Sequence, residues 1–378
     1  MSVHNRTHTL ETMSSVGNYK PSGTGEDDCL MREMQLLSFG GYGNFALKHL
    51  KKPQAGPGDV VVKVMATGIN FADVSARQGL YNGPTGAPAC PAVLGMEGSG
   101  LVVEVADNVK DIKVGDKVLF IMMFGAWREF VRLPSDQCFI MPDSMTFQEG
   151  AAIPVNYLTA YLMLFEFGNL RRGKSVLVHM AAGGVGWAAS QICKTVPDVT
   201  VFGTASAHKH SIIKDNGVTY PIDYHTKDYV QEIRKFSPSG LDIVLDPLAG
   251  VDTQKGYSLL KPMGKIILFG AANIIRHEQR SLIALASTWW KTPSFKPFDL
   301  MVSNKAVCGF HLGWLADEKP LLLNAMSDII RLYKEGQIKP HIDSVWQITQ
   351  VGSAMQHIQQ RKNIGKVILT WDDTTAKR

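Results

Sequence analysis

The spacing of apolar and polar positions changes character near residue 156. From Met31 to about Met141, short apolar runs at Asp59 to Ile69, Gly98 to Val105, Lys117 to Ile121 and Ala126 to Val131 are separated by Gly, Pro and Asp clusters, which predicts a unit built of strands. From about Asn156, apolar strands at Ser175 to Met180, Val199 to Thr204, Leu241 to Asp246 and Lys265 to Gly270 alternate with helical stretches. That alternation predicts right-handed crossovers and a parallel sheet covered on both faces, an α/β fold. Beyond Val302 the pattern gives a strand at Val307 to Phe310, a helix near Leu321 to Glu335 and a last strand at Lys366 to Thr370.

Two glycine signatures lie almost end to end. Gly168-Asn-Leu-Arg-Arg-Gly173-Lys174-Ser175 fits the triphosphate-binding P-loop, and Ala181-Ala182-Gly183-Gly184-Val185-Gly186 fits the dinucleotide-binding turn. Both chemistries need a strand before the glycines and a helix after them, because the helix N-terminus presents its free N–H groups to phosphate. The first signature has the reverse order. Tyr157 to Phe167 reads as a buried helix before it and Ser175 to Met180 as a strand after it. The second has the required order, followed by Val185, Ala188, Ala189 and Ile192 at helical spacing. The dinucleotide turn is therefore the main reading, and a P-loop ATPase the weaker alternative.

The second strand of such a sheet ends where the adenosine ribose lies. Here it finishes in Gly203-Thr204-Ala-Ser206-Ala-His-Lys209, with no carboxylate for the ribose hydroxyls. A hydroxyl and a lysine can bind a 2′-phosphate that a carboxylate would repel, so NADPH is favoured over NADH. The plain alternative is that Ser206 caps the next helix and Lys209 is solvated.

Composition adds limits. With 378 residues, 45% of them hydrophobic and 19% charged, the chain can form about two globular domains. The first thirty residues lack an apolar pattern and read as a flexible tail, and the Asn5-Arg-Thr7 sequon within them has no signal-peptide core beside it. Five widely spaced cysteines without a C-x-x-C argue against a disulfide framework or zinc knuckle and for a reducing, cytoplasmic setting. The net charge of +5 is spread thinly, so no nucleic-acid footprint is expected, though mild basicity suits phosphorylated cofactors or anionic lipid. Ala151 to Phe167, interrupted by Pro154, Asn156 and Glu166, reads as a core helix rather than a membrane span.

Gly68-Ile-Asn70-Phe-Ala-Asp73, Arg77-Gln-Gly79-Leu-Tyr81, Val93-Leu-Gly-Met-Glu97-Gly-Ser-Gly100, Val114-Gly-Asp-Lys-Val118, Leu158-Thr-Ala160, Ala181 to Gly186 and Gly365-Lys-Val367 together resemble the medium-chain dehydrogenase/reductase superfamily, in its zinc-independent quinone oxidoreductase branch. Within that branch Thr204 to His210, Leu260 to Gly264, Thr288-Trp-Trp290, Cys308-Gly-Phe-His-Leu312 and Ile338 to Trp346 resemble the vesicle amine transport protein homologs of synaptic vesicles. The resemblance implies a discontinuous GroES-like substrate domain around a Rossmann-type domain: a tail at 1–30, a first GroES-like part at 31–155, the NADPH-binding domain at 156–302, and the remainder with a returning segment at 303–378. It implies a homodimer, and a place in the cytoplasm or on the surface of synaptic vesicles or the mitochondrial outer membrane.

Zinc-containing relatives carry Cys and His where this chain has Asn70 and Met96, so no catalytic zinc is expected. Carbonyl polarisation then falls to hydrogen-bond donors. The resemblance gives that role to Asn70 and Tyr81, acting on a small hydrophobic quinone or α,β-unsaturated carbonyl; the plain alternatives are a turn amide and a half-buried aromatic. A second family tyrosine falls at Ser75, which puts the usual quinone in question. On the same basis Thr159 seats the nicotinamide, Ala182, Gly183, Gly184 and Val185 meet pyrophosphate, and Thr204, Ser206, Lys209 and Tyr224 hold the 2′-phosphate end. Phe269 and Gly270 flank the nicotinamide, and Asn363 reaches the cofactor from the returning segment; Tyr224 equally suits a packed strand-end aromatic.

Between residues 271 and 306 lies a long insert with Leu282, Ile283, Trp289 and Trp290 among Arg276, Arg280, Lys291 and Lys296. Tryptophans flanked by cations suit a membrane interface, and an apolar helix roofing the cleft has the same pattern. A membrane-associated regulatory or lipid-binding protein is thus the alternative to an enzyme.

Overall fold

The computed structural model describes residues 30–275 and 277–371; residues 1–29 of the expected tail, its sequon and Arg276 lie outside them, while Leu30 opens a strand. Six parallel strands form one sheet in the order Tyr220–Ile222, Thr200–Thr204, Ser175–Val178, Leu241–Asp246, Leu260–Leu268, Ala306–Gly309. The first chain strand is central and the order reverses beside it, which opens a crevice at the strands' carboxyl ends. Leu241–Asp246 is buried at every position, as a strand covered on both faces must be.

The helix Gly184–Lys194 packs Trp187, Ala188, Ala189, Ile192 and Cys193 inward at helical spacing. The helix Pro154–Leu162 starts with proline in its first turn, where no N–H is missed, and passes into a π turn over Met163–Phe167. Together with Met326 and Ile329 of Lys319–Lys334 these faces close one core.

The second sheet has the path Ile342–Gln347, Lys366–Thr370, Asp59–Ile69, Glu97–Val105, Lys117–Ile121, Cys138–Ile140, with Phe130–Pro134 also paired to Asp59–Ile69. The last strand of the chain lies antiparallel to Asp59–Ile69, so the β-rich unit is discontinuous in sequence. The run expected at Ala126 to Val131 is shifted to Phe130–Pro134, because Ala126 and Trp127 are drawn into a turn whose N–H groups bond Gly95 and Leu94. The parallel sheet continues past the division expected at residues 302/303, since Ala306–Gly309 is its sixth strand.

Candidate active site

The strand Ser175–Val178 leads into a turn in which Met180 takes a left-handed φ of 52°. Gly183, in extended conformation, caps the helix Gly184–Lys194. The first N–H groups of a helix have no intrahelical partner, and no acidic residue occupies the first turn here. Space fixes two of the glycines. A Cβ at Gly184 would lie 2.3 Å from Asn156 Nδ2, and one at Gly186 would lie 2.3 Å from the Met180 carbonyl oxygen. Backbone donors, close helix–strand approach and a turn without acidic side chains fit a dinucleotide pyrophosphate. Gly365 N–H donates to the Ala182 carbonyl at 2.8 Å, so the returning segment crosses this turn, and Val185 is half-buried beside it.

At the ribose end Ser206 does not cap the following turn with its side chain. Its hydroxyl lies 3.2 Å from His225 Nε2, and the Tyr224 and His225 rings are 4.2 Å apart. Thr204 is buried, with its hydroxyl 3.1 Å from His179 Nδ1. Lys209 is not the solvated residue of the plain alternative, being 5% exposed. Its ammonium donates to the carbonyls of Arg361 at 2.7 Å and Asn363 at 2.8 Å, tying the returning segment to the second strand's end. Burial lowers its pKa. An ammonium has three donors, so one remains. The Asn363 side chain donates to the Gly365 carbonyl rather than standing free.

At the opposite end Asn70 is part of a buried network. Its amide donates to Glu97 at 2.7 Å and accepts from Lys366 Nζ at 2.6 Å, while Lys366 also pairs with Glu97. Glu97 further accepts from the Val155 N–H. Asp73 beside it takes N–H donations from Asn70 and Gly95, yet burial pushes its carboxyl up to about 7. These contacts fix which way the Asn70 amide faces, with its oxygen toward the ammonium. Tyr81 is also buried, its hydroxyl 3.6 Å from Met123 Sδ and its pKa raised to about 12 by burial. Thr159 is buried on the helix face that also carries Asn156, three residues earlier. Phe269 N–H bonds the Asp246 carbonyl, and Gly270 packs against Pro247.

A cavity of about 390 Å³ opens nearby, lined by Phe167, Leu268, Gly309, Phe310, His311, Trp314 and Leu315. Its His311 ring lies 5.6 Å from that of Tyr81, so residues of both domains meet there. Asn156, Glu97, Lys366, His225 and His311 were not picked out as site residues from sequence. Three had a signal, since Glu97, Lys366 and His311 fall inside the Val93 to Gly100, Gly365-Lys-Val367 and Cys308 to Leu312 motifs.

The P-loop alternative is corrected by the place of its lysine. Lys174 Nζ is 2.7 Å from Asp242 and supports the strand's start, and Gly173 turns the chain with φ of 76°. Among the described residues no group of three His, Cys, Asp or Glu side chains could hold a metal, and no helix is long and apolar enough to cross a membrane.

Residues 56–143 match the alcohol dehydrogenase GroES-like domain family and residues 216–369 the zinc-binding dehydrogenase family. The chain thus belongs to the medium-chain dehydrogenase/reductase superfamily, whose members include quinone oxidoreductases and enoyl reductases, and it has their oxidoreductase architecture. Within that class it falls in the VAT-1 homolog family. It is 53% identical to the human synaptic vesicle membrane protein VAT-1 homolog over 342 residues, 90% of this chain and 86% of that one. The crystal structure of the human VAT-1 homolog-like protein matches with a TM-score of 0.79 at 40% identity, covering 91% of this chain and 99% of the other. An Escherichia coli quinone oxidoreductase complexed with NADPH shares the fold, with a TM-score of 0.79 at 23% identity and 90% and 99% coverage. The dehydrogenase family match and the glycine turn support a nicotinamide cofactor.

Proposed function

We propose that this protein is an NADPH-dependent oxidoreductase acting on a quinone-like or α,β-unsaturated carbonyl compound. One observation carries the reading: a strand, glycine turn and helix whose neighbouring strand ends in Ser206, with no carboxylate at the ribose position. Bound there, the cofactor would supply hydride. The N–H groups of the helix start, with Ala182, Gly183, Gly184 and Val185 around them, would hold the pyrophosphate. Ser206, the remaining Lys209 donor, Tyr224 and His225 would meet the 2′-phosphate, while Asp223 nearby keeps the site from being uniformly cationic. Phe269, Gly270 and Thr159 would bound the nicotinamide. The apolar cavity suits a small hydrophobic carbonyl compound. Following nicotinamide oxidation with naphthoquinone and with nonenone tests this; NADPH should be used at least roughly tenfold more efficiently than NADH. Absence of both NADPH binding and turnover ends the reading.

A second reading, membrane association, is supported by the insert. In the helix Leu282–Lys291, Trp289 and Trp290 are 82% and 88% exposed, with Ile283 at 83%. Exposed tryptophans beside Lys291 and Lys296 suit an anionic membrane surface such as that of a vesicle or the mitochondrial outer membrane. The name of the human relative refers to synaptic vesicle membrane. Flotation with phosphatidylserine vesicles tests it, and unchanged flotation of a Trp289→Ala/Trp290→Ala protein removes the segment's role. We also propose a homodimer. Among the described residues no strand pairs with the outer edge of Ala306–Gly309; light scattering giving a monomer mass would reject it.

A further inference from the structure

We propose that the Nε2–H of His311 is the hydrogen bond donor that receives the carbonyl oxygen of the substrate in the apolar cavity beside Tyr81. The proposal rests on the oxidoreductase reading above. Its basis is a tautomer fixed by backbone geometry. Gly313 N–H donates to His311 Nδ1 at 3.1 Å. A backbone amide can only donate, so Nδ1 must carry a lone pair, and a neutral imidazole then has its proton on Nε2. The bond is built in locally, because His311 takes an extended conformation and caps the short turn Leu312–Leu315 with its ring nitrogen. Burial lowers the imidazole pKa and outweighs the opposing pull of the residue's own backbone carbonyl, which favours the neutral form that this bond requires.

The alternatives in the cleft are less available. Both polar atoms of the Asn70 amide are engaged by Glu97 and Lys366 inside a buried network. The Tyr81 hydroxyl points to Met123 Sδ, and the Tyr81 ring packs against Phe124 at 5.0 Å as well as against His311. Among the described residues no side chain accepts from the His311 ring, whose own backbone carbonyl lies within its reach. The ring lines the cavity together with Leu268 and Gly309, at the carboxyl ends of paired strands where a doubly wound sheet binds its ligands. Phe167, Phe310 and Trp314 supply apolar walls, and a donor surrounded by such walls stabilises developing negative charge on oxygen far better than it would in water.

The test has a spectroscopic arm and a kinetic arm. Imidazole nitrogen NMR on labelled protein should show His311 as the neutral tautomer protonated at Nε2, with that resonance shifting on titration with naphthoquinone. A proton on Nδ1, or an Nε2 resonance indifferent to naphthoquinone, overturns the proposal whether or not the protein turns anything over. In the kinetic arm, His311→Phe keeps the ring shape and removes the donor, whereas His311→Gln restores an N–H near the same point. His311→Phe should lower kcat/KM for naphthoquinone and nonenone by roughly a hundredfold or more, and His311→Gln should recover most of that loss. NADPH affinity should be unchanged in both variants. A folded His311→Phe protein retaining wild-type kcat/KM overturns the proposal while leaving the NADPH reading intact. Failure of the wild-type protein to bind NADPH overturns that reading instead.

Discussion

Gly168 to Ser175 and Ala181 to Gly186 are two glycine-rich segments only a few residues apart, and they serve opposite ends of one strand. The first turns the chain into Ser175–Val178, with Gly173 at φ of 76° and open space where a side chain would go. The second leaves the same strand and holds Gly186 hard against the Met180 carbonyl. Their lysine and glycines therefore do different jobs. Lys174 is a structural cation for the buried Asp242 carboxylate, whereas the second segment presents backbone donors at a helix start. A glycine pattern carries phosphate chemistry only where the strand comes before it and the helix after it.

The largest expected effect separates an ion pair whose lysine reaches solvent from one buried on both sides. Lys366→Met strands Glu97, which is fully buried, and should cost about 3–5 kcal/mol in denaturant unfolding. Loss of less than the Lys174 pair contributes would contradict the network described around Asn70. Next, Gly186→Ala drives a methyl into backbone and should destabilise by roughly 3 kcal/mol while lowering nicotinamide cofactor affinity at least tenfold.

Lys174→Ala should leave cofactor affinity unchanged and reveal itself in acid. Burial pushes the Asp242 carboxyl up, but Lys174, Lys261 and the Ser175 N–H and hydroxyl outweigh it and hold it at about 2. A depressed carboxyl pKa gives stability that is present above the unfolded value near 4 and lost as pH falls toward 2. The substitution should remove on the order of 1–2 kcal/mol at neutral pH and flatten that acid limb. ATP turnover abolished by this change would revive the P-loop. The smallest effect belongs to Gly173→Ala, about 1 kcal/mol from its left-handed conformation, with no change in cofactor binding.

Much of this architecture was legible from the chain alone, because the strands that form it are apolar and bounded by turn residues. Asp59–Ile69, Lys117–Ile121, Leu241–Asp246 and Lys366–Thr370 have the limits that their patterns suggest. Strands of mixed polarity were harder. Leu30–Leu36, Phe45–Lys51 and Ile342–Gln347 mix polar residues into both faces, so their periodicity is weak and only pairing reveals them. At the site, residue type and position located the glycine turn and the end of the second strand, but long-range partners were invisible. Lys209 is separated by 152 residues from the Arg361 carbonyl it binds, and Asn70 by 296 from Lys366. No spacing rule links such residues; the fold brings them together. His311 belonged to a recognisable motif, yet its role depends on a ring tautomer set by Gly313 and on Tyr81 from the other domain.

The most direct measurement is calorimetric titration of the full chain with NADPH and with NADH, repeated for Ser206→Asp. The wild-type protein should bind NADPH at least roughly tenfold more tightly than NADH, and the new carboxylate should abolish or invert that preference by repelling the 2′-phosphate. Equal or tighter binding of NADH by the wild-type protein, or no binding of either nucleotide, would contradict the assignment of the Ala181 to Gly186 turn and its Ser206 neighbour as an NADPH site.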